Sequence, residues 1–285
     1  MKIYKEIKIE TKDKSLIIFL SRPEKMNTFT KNMQEEIVHA LDEAEGNDDI
    51  RSIIFTGDGK AFCAGADLSS GGDTFNSSRE NKKNNVVRDS GGLLTLRLFK
   101  STKPLIAAIN GVAVGIGATM LLPMDVRICS NTARFGFVFA KRGIVPEAAS
   151  SWFLPRLIGI EKALKLCYSG KVINAEEALE FKLVSEILNE ESLIERALQI
   201  AKEFTAESSQ ISIALTRQLM WRMLGADDPM EAHKIDSRAV NELGRSGEAE
   251  EGVMSFLEKR KPIFPGKVSK DMPSFYPWWS EKEFE

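Results

Sequence analysis

The spacing of apolar positions changes along this 285-residue chain, and each change marks an element. Residues 15–20 (SLIIFL), 52–56 (SIIFT) and 105–109 (LIAAI) are short, β-rich apolar runs bounded by turn residues, which predicts strands. Between the first two, Met33, Ile37, Leu41 and Ala44 recur at helical spacing behind Thr30, a residue suited to cap the helix. Val87, Leu94 and Leu98 mark another helix before the third strand. This ββα-like rhythm predicts an α/β protein and leaves the topology open. Residues 69–85 (SSGGDTFNSSRENKKNN) are polar and Gly/Ser/Asn-rich, the composition of a long loop, either a functional lid or disordered.

After about residue 158 the pattern turns helical. Asn174 with Glu177 resembles a capping arrangement that opens a helix running through Phe181. Residues 192–205, 211–224, 229–243 and 249–261 also read as helices. The tail, 266–285, sets Tyr276, Trp278 and Trp279 among prolines and resembles an arm packing on a neighbour rather than a domain. The expected organisation is a core over 1–200, a helical association region over 201–265 and an aromatic tail arm over 266–285.

Composition narrows the classes. Hydrophobic residues make up 43% and charged residues 28%, ordinary for a globular chain with a sizeable core. A formal net charge of −2 gives no global reason to expect nucleic acid or an anionic membrane as partner. Cys63, Cys129 and Cys167 are too few and too scattered for a disulfide framework, and two histidines argue against a His-rich metal centre. The start, MKIYKEIKIETKDK, lacks an apolar signal core, and its acidic residues argue against a transit peptide. The most apolar stretch, 111–124, is short and contains glycine, so no span of a bilayer is expected. These readings point to a reduced, cytoplasmic protein without a metal.

Two glycine-flanked turns stand out. Residues 62–68 (FCAGADL) follow the 52–56 strand. Small residues let backbone approach a ligand, and a following helical turn leaves N–H donors free for an anion or an oxyanion. A plain strand-to-helix turn has the same composition. Residues 110–118 (NGVAVGIGA) follow the 105–109 strand. Their glycines are spaced GxxxGxG, unlike the dinucleotide fingerprint, and the Lys-Ser/Thr end of a phosphate loop is missing.

Together, FTGDGKAFCAGADL and KPLIAAINGVAVGIGATMLLPMDVRICSNTARFGF resemble the crotonase (enoyl-CoA hydratase/isomerase) superfamily. RPEKMN at 22–27 and EKRKPIF at 258–264 fall where that family has comparable segments, so the likeness spans roughly residues 10–265. It implies a crotonase-like ββα spiral core with a C-terminal α-helical oligomerisation region that builds trimers or dimers of trimers. It further implies that the amides of Ala66 and Ile116 form an oxyanion hole for a thioester oxygen. Ala64, Asp67, Leu68 and Ser69, with Lys25 and Met26, match segments lining the adenine and pantetheine of coenzyme A. Lys259 and Lys261 stand where they would approach its phosphates, or lie on a solvated helix face. The implied partner is an acyl-CoA thioester, and no cofactor is expected beyond the coenzyme A of the substrate.

The resemblance also bears on the proton carrier. The family's hydratases hold a water between two glutamates, and the matching positions here are Thr119 and Phe139. Another acid stands nearby: GIVPEAASSW at 143–152 looks like the segment of single-acid enoyl-CoA isomerases and of isomerising relatives in phenylacetate breakdown. Glu147 is then the expected shuttle, taking a proton from C2 of a 3-enoyl-CoA and returning it at C4. An apolar pocket containing Phe135, Phe137 and Phe139 would raise its pKa. A carboxylate facing the dipole of a helix over 148–154 is the structural alternative. Thr119 is expected to bond its own backbone, with the orienting of a water or substrate as the alternative. Asp67 is expected to fix its turn, Asp125 to be structural, His39 to lie at the surface, and Cys63 to pack as a small residue. The competing functions are hydration of a 2-enoyl-CoA, dehalogenation of an aromatic acyl-CoA, and a non-catalytic acyl-CoA- or RNA-binding role. RNA binding would rest on scattered lysines such as Lys82, Lys83 and Lys100.

Overall fold

The computed structural model describes residues 3–76 and 87–284. Its strands are β1 (Ile7–Lys12), β2 (Ser15–Leu20), β3 (Ser52–Gly57), β4 (Ala61–Cys63), β5 (Leu105–Ile109), β6 (Val112–Val114), β7 (Val126–Ser130), β8 (Arg134–Gly136), β9 (Val172–Asn174) and β10 (Glu186–Leu188). They form a six-stranded sheet ordered β1-β2-β3-β5-β7-β10 and a four-stranded sheet ordered β4-β6-β8-β9. The helices are α1 (Lys31–Glu45), α2 (Ser90–Phe99), α3 (Ile116–Thr119), α4 (Ser150–Ile158), α5 (Ile160–Ser169), α6 (Ala175–Glu180), α7 (Glu190–Thr205), α8 (Gln210–Met223), α9 (Pro229–Arg245) and α10 (Glu248–Leu257).

Each turn of the chain gives one strand to each sheet and then a helix: β3 with β4, β5 with β6, β7 with β8. The pairs β3/β5, β5/β7, β4/β6 and β6/β8 are all parallel, so the turns stack in one sense as a ββα spiral. The inner strands β2, β3 and β5 of the large sheet are covered on both faces. Leu16, Ile18, Leu20, Ile53, Phe55, Leu105, Ala107 and Ile109 face the main core. Ile17, Ile54, Ile106, Ala108 and Ile128 pack beneath Leu193, Ala197 and Ala201 of α7. Two-sided burial is why these strands read as continuous apolar runs.

Thr30 caps α1 by accepting from the Met33 amide at 3.0 Å, and Asn174 with Glu177 forms the expected capping box. The last predicted helix ends early, at Leu257, with Lys259 in a left-handed conformation at φ 56°. Val87 lies outside α2 and is exposed. Part of the 69–85 loop, including Lys82 and Lys83, lies outside the described residues.

The C-terminal helices hold the spiral through Arg217 of α8. Its guanidinium donates to Asp125 at 2.9 Å and to the carbonyls of Leu98, Phe99, Ser101 and Pro123. The Leu98 and Phe99 carbonyls end α2, where the helix dipole favours a cation. The tail folds back on its own chain. Phe275 is buried with Ile211, Leu215 and Ala239, Arg222 sits 3.1 Å from the centre of a Trp279 ring, and Lys100 pairs with Glu281 at 2.6 Å. Apolar rings and paired charges close the arm onto α2, α8 and α9. Among the described residues no helix is long and apolar enough to cross a membrane.

Candidate active site

Strands β4 and β6 are parallel neighbours, with Ala61 opposite Val112 and Cys63 opposite Ala113. Both chains therefore leave the small sheet at the same end, and the two glycine turns emerge side by side. The fit is close: a Cβ on Gly117 would lie 2.0 Å from the Cys63 carbonyl oxygen. Only glycine allows that approach. Ala66 follows one turn, bridged to Phe29, and Ile116 opens α3 after the other. Among the described residues neither the Ala66 nor the Ile116 N–H has a hydrogen-bond partner. Ile116 stands first in a helix, where an unmet donor is expected.

Glu147 stands beside Ile116. Its Oε2 and the Ile116 Cδ1 both lie within 2.7 Å of the point where a Cβ on Gly91 would sit. Its other oxygen, Oε1, accepts from the Thr119 hydroxyl at 2.6 Å. Burial pushes this carboxyl up to about 7; the Thr119 hydrogen bond lowers it, and the charge of Asp89 adds a smaller rise. Such a group holds and releases a proton near neutrality. It precedes α4, whose N-cap is Ala149, so it is not a first-turn helix charge.

The backbone after Glu147 is strained. Ala148 and Ala149 have φ of 57° and 54°, a conformation that side chains disfavour. Helix α2 holds them there: Asp89 accepts from the Ala148 amide at 2.7 Å, and the Thr95 hydroxyl donates to the Ala148 carbonyl at 2.9 Å. Asp89 also caps α2 through the amides of Gly91 and Gly92. Asp89 and Gly91 were not singled out in the sequence. The available signal was the Gly91–Gly92 pair opening an apolar helix, where alanine would favour the helix by about 1 kcal/mol per site.

The residues expected to line coenzyme A gather on one rim. The Ala64 amide donates to the Met26 carbonyl at 3.1 Å, which joins the two loops. Lys25, Met26, Leu68 and Ser69 are exposed there. Asp67 is engaged otherwise: its carboxylate accepts from Arg22 at 2.8 Å and from the Ser69 amide at 2.9 Å. The Arg22 hydrogen bond brings it down to about 2. It therefore fixes the turn rather than carrying protons. Lys261 lies 3.6 Å from Glu207 in this chain, and Lys259 is exposed at the end of α10.

Three expectations change. Thr119 turns its hydroxyl to Glu147, and the distance to its own helix carbonyl at Ile116 is a longer 3.4 Å. Phe135, Phe137 and Phe139 are 0%, 0% and 2% exposed, so they fill the core rather than line an open pocket. His39 is partly buried and shares a 2.9 Å hydrogen bond with Tyr4. Asp125 is structural, also accepting from Trp221 and from the Leu105 amide at 2.8 Å. Burial pushes the Cys63 thiol up to about 12, so it is no nucleophile.

The enoyl-CoA hydratase/isomerase family model matches residues 10–267. An enoyl-CoA hydratase of Alternaria alternata, AFT3-1, is 43% identical over 249 residues, covering 87% of this chain and 82% of its own. The 1,2-epoxyphenylacetyl-CoA isomerase of Escherichia coli is 33% identical over 258 residues, covering 88% of this chain and 95% of its own. A crystal structure of enoyl-CoA hydratase from Bacillus anthracis superposes with a TM-score of 0.81 at 29% identity, over 92% of this chain and 100% of that one. The spiral, the paired turns and these likenesses agree, and the chain belongs to the enoyl-CoA hydratase/isomerase family as an enzyme that processes acyl-CoA thioesters.

Proposed function

We propose that the enzyme moves a double bond in an enoyl-CoA, with Glu147 as a single-carboxylate proton shuttle. The thioester oxygen accepts from the Ala66 and Ile116 amides, Glu147 removes the C2 proton of a 3-enoyl-CoA to give an enolate, and the same carboxyl returns the proton at C4. No water is activated and no cofactor is needed beyond the coenzyme A of the substrate. One observation carries this reading: the carboxyl beside Ile116 is held near 7, while Thr119 and Phe139 occupy the positions where the family's hydratases carry their water-holding glutamates. Coenzyme A would run along the rim of Lys25, Met26, Ala64, Leu68 and Ser69.

A second reading, hydration of a 2-enoyl-CoA, is favoured by the hydratase names of the Alternaria relatives. Crotonyl-CoA and a 3-enoyl-CoA, incubated separately with the enzyme, distinguish the two. Isomerisation of the second with slow hydration of the first supports the shuttle; fast hydration without isomerisation supports the alternative.

We further propose a trimer or a dimer of trimers, acting in cytoplasmic breakdown of acyl chains. Ile160, Leu164 and Tyr168 form an exposed stripe on α5, and Val253, Phe256 and Leu257 leave α10 with an uncovered apolar face. Unpartnered apolar surface of this kind favours association. Light scattering after size exclusion gives the subunit number.

A further inference from the structure

The two oxygens of Glu147 meet different surroundings. Oε1 accepts from Thr119 at 2.6 Å. Oε2 has no hydrogen-bond partner among the described residues and lies where a Cβ on Gly91 would stand 2.3 Å away, close to the Ile116 side chain. Thr119 is fully buried on α3, whose first residue is Ile116. A hydroxyl has one proton to give, and the shorter contact to Oε1 takes it in preference to the Ile116 carbonyl.

We propose that Thr119 is a positioning residue for Glu147: its hydroxyl fixes Oε1, so that Oε2 alone carries the proton between substrate carbons. This rests on Glu147 being the shuttle. The same short helix then presents the Ile116 donor and aims the carboxylate, so the two parts of the site keep their separation. A carboxyl free to rotate would offer either oxygen and lose that register. The hydrogen bond also favours the charged form, which counters the burial of the group.

The test uses the full-length enzyme and its T119V, T119S and E147Q variants, each assayed on a 3-enoyl-CoA and on crotonyl-CoA across about pH 5 to 9. T119V is nearly isosteric and lacks the donor. It is expected to lower kcat about 10–100-fold with little change in KM. It also moves the acid limb of kcat/KM to higher pH, because the charged form loses a donor. T119S restores both. A T119V enzyme with the wild-type rate and pH profile overturns the proposal, as does a folded T119S that behaves like T119V. E147Q separates the two claims. Should E147Q retain the wild-type rate, the shuttle fails and Thr119 has nothing to position. With E147Q inactive and T119V unchanged, only the role of Thr119 falls. Infrared difference titration of the Glu147 carboxyl, in wild type and in T119A, reads the same upward shift without turnover and decides the matter if T119V does not fold. An unmoved T119A titration overturns the proposal.

Discussion

Gly91 presents a bare Cα to the carboxylate of Glu147, and an alanine Cβ there would stand 2.3 Å from Oε2 and 2.7 Å from Ile116 Cδ1. Both contacts are tips of side chains, so the fold yields while the site does not. Gly91→Ala is expected to fold and to bind acyl-CoA. Its kcat falls about 100-fold, as expected for displacement of a reacting group by about 1 Å. Steady-state kinetics with a thermal scan checks this.

Activity should follow the ionisation of Glu147. As the base that removes the first proton, it must be charged in the free enzyme, and burial holds its pKa at about 7. The value of kcat/KM therefore rises tenfold per pH unit below that value and levels above it. A profile flat from about pH 5 to 9 would remove Glu147 from this role.

The same shift makes the site a stability cost. Burial lifts the folded carboxyl from its ordinary value of 4.5 to about 7. The folded state thus binds the proton more tightly than the unfolded chain. This contribution to stability is fully present below about 4.5 and is lost as pH rises through about 7. Glu147→Gln cannot ionise, so above neutrality it should be more stable than wild type by up to about 3 kcal/mol. The advantage shrinks toward acid pH. Urea unfolding at an alkaline and an acid pH reads the difference.

Asp125 carries the opposite load. It joins β7 to α8 through Arg217, whose side chain is only 4% exposed. Asp125→Ala leaves that guanidinium without its counter-charge, and a loss of about 3 kcal/mol is expected. Because Arg217 also holds the last carbonyls of α2, activity should fall with stability. Denaturant titration alongside kinetics tests both.

Much of this was legible in the sequence. Residues 15–20, 52–56 and 105–109 read as strands because two-sided burial makes them continuously apolar, and Thr30 and Asn174 announced their caps through local chemistry. β4, β6 and β8 were not legible as strands. Each has three residues, and they lie within or just after the small-residue motifs that carry the family resemblance. The Ala66, Ile116 and Glu147 grouping came from motif likeness, since no spacing rule links turns 50 residues apart. The Thr119 contact was missed because threonine in a helix ordinarily bonds its own backbone. Only the spiral brings it to an acid 28 residues away. Gly91 was missed because its function is the space it leaves. The contacts of the tail were not legible for a related reason: tryptophans among prolines show that an arm needs a partner without showing that α8 and α9 supply one.

Label transfer in a single turnover tests the one-carboxylate shuttle most directly. A 3-enoyl-CoA carrying deuterium at C2 is mixed with excess enzyme in ordinary water, and the product is read by mass spectrometry and NMR. The account predicts deuterium at C4 of the 2-enoyl-CoA, carried there by Glu147 before it exchanges. A product with no label at C4 and with water oxygen at C3 would contradict it.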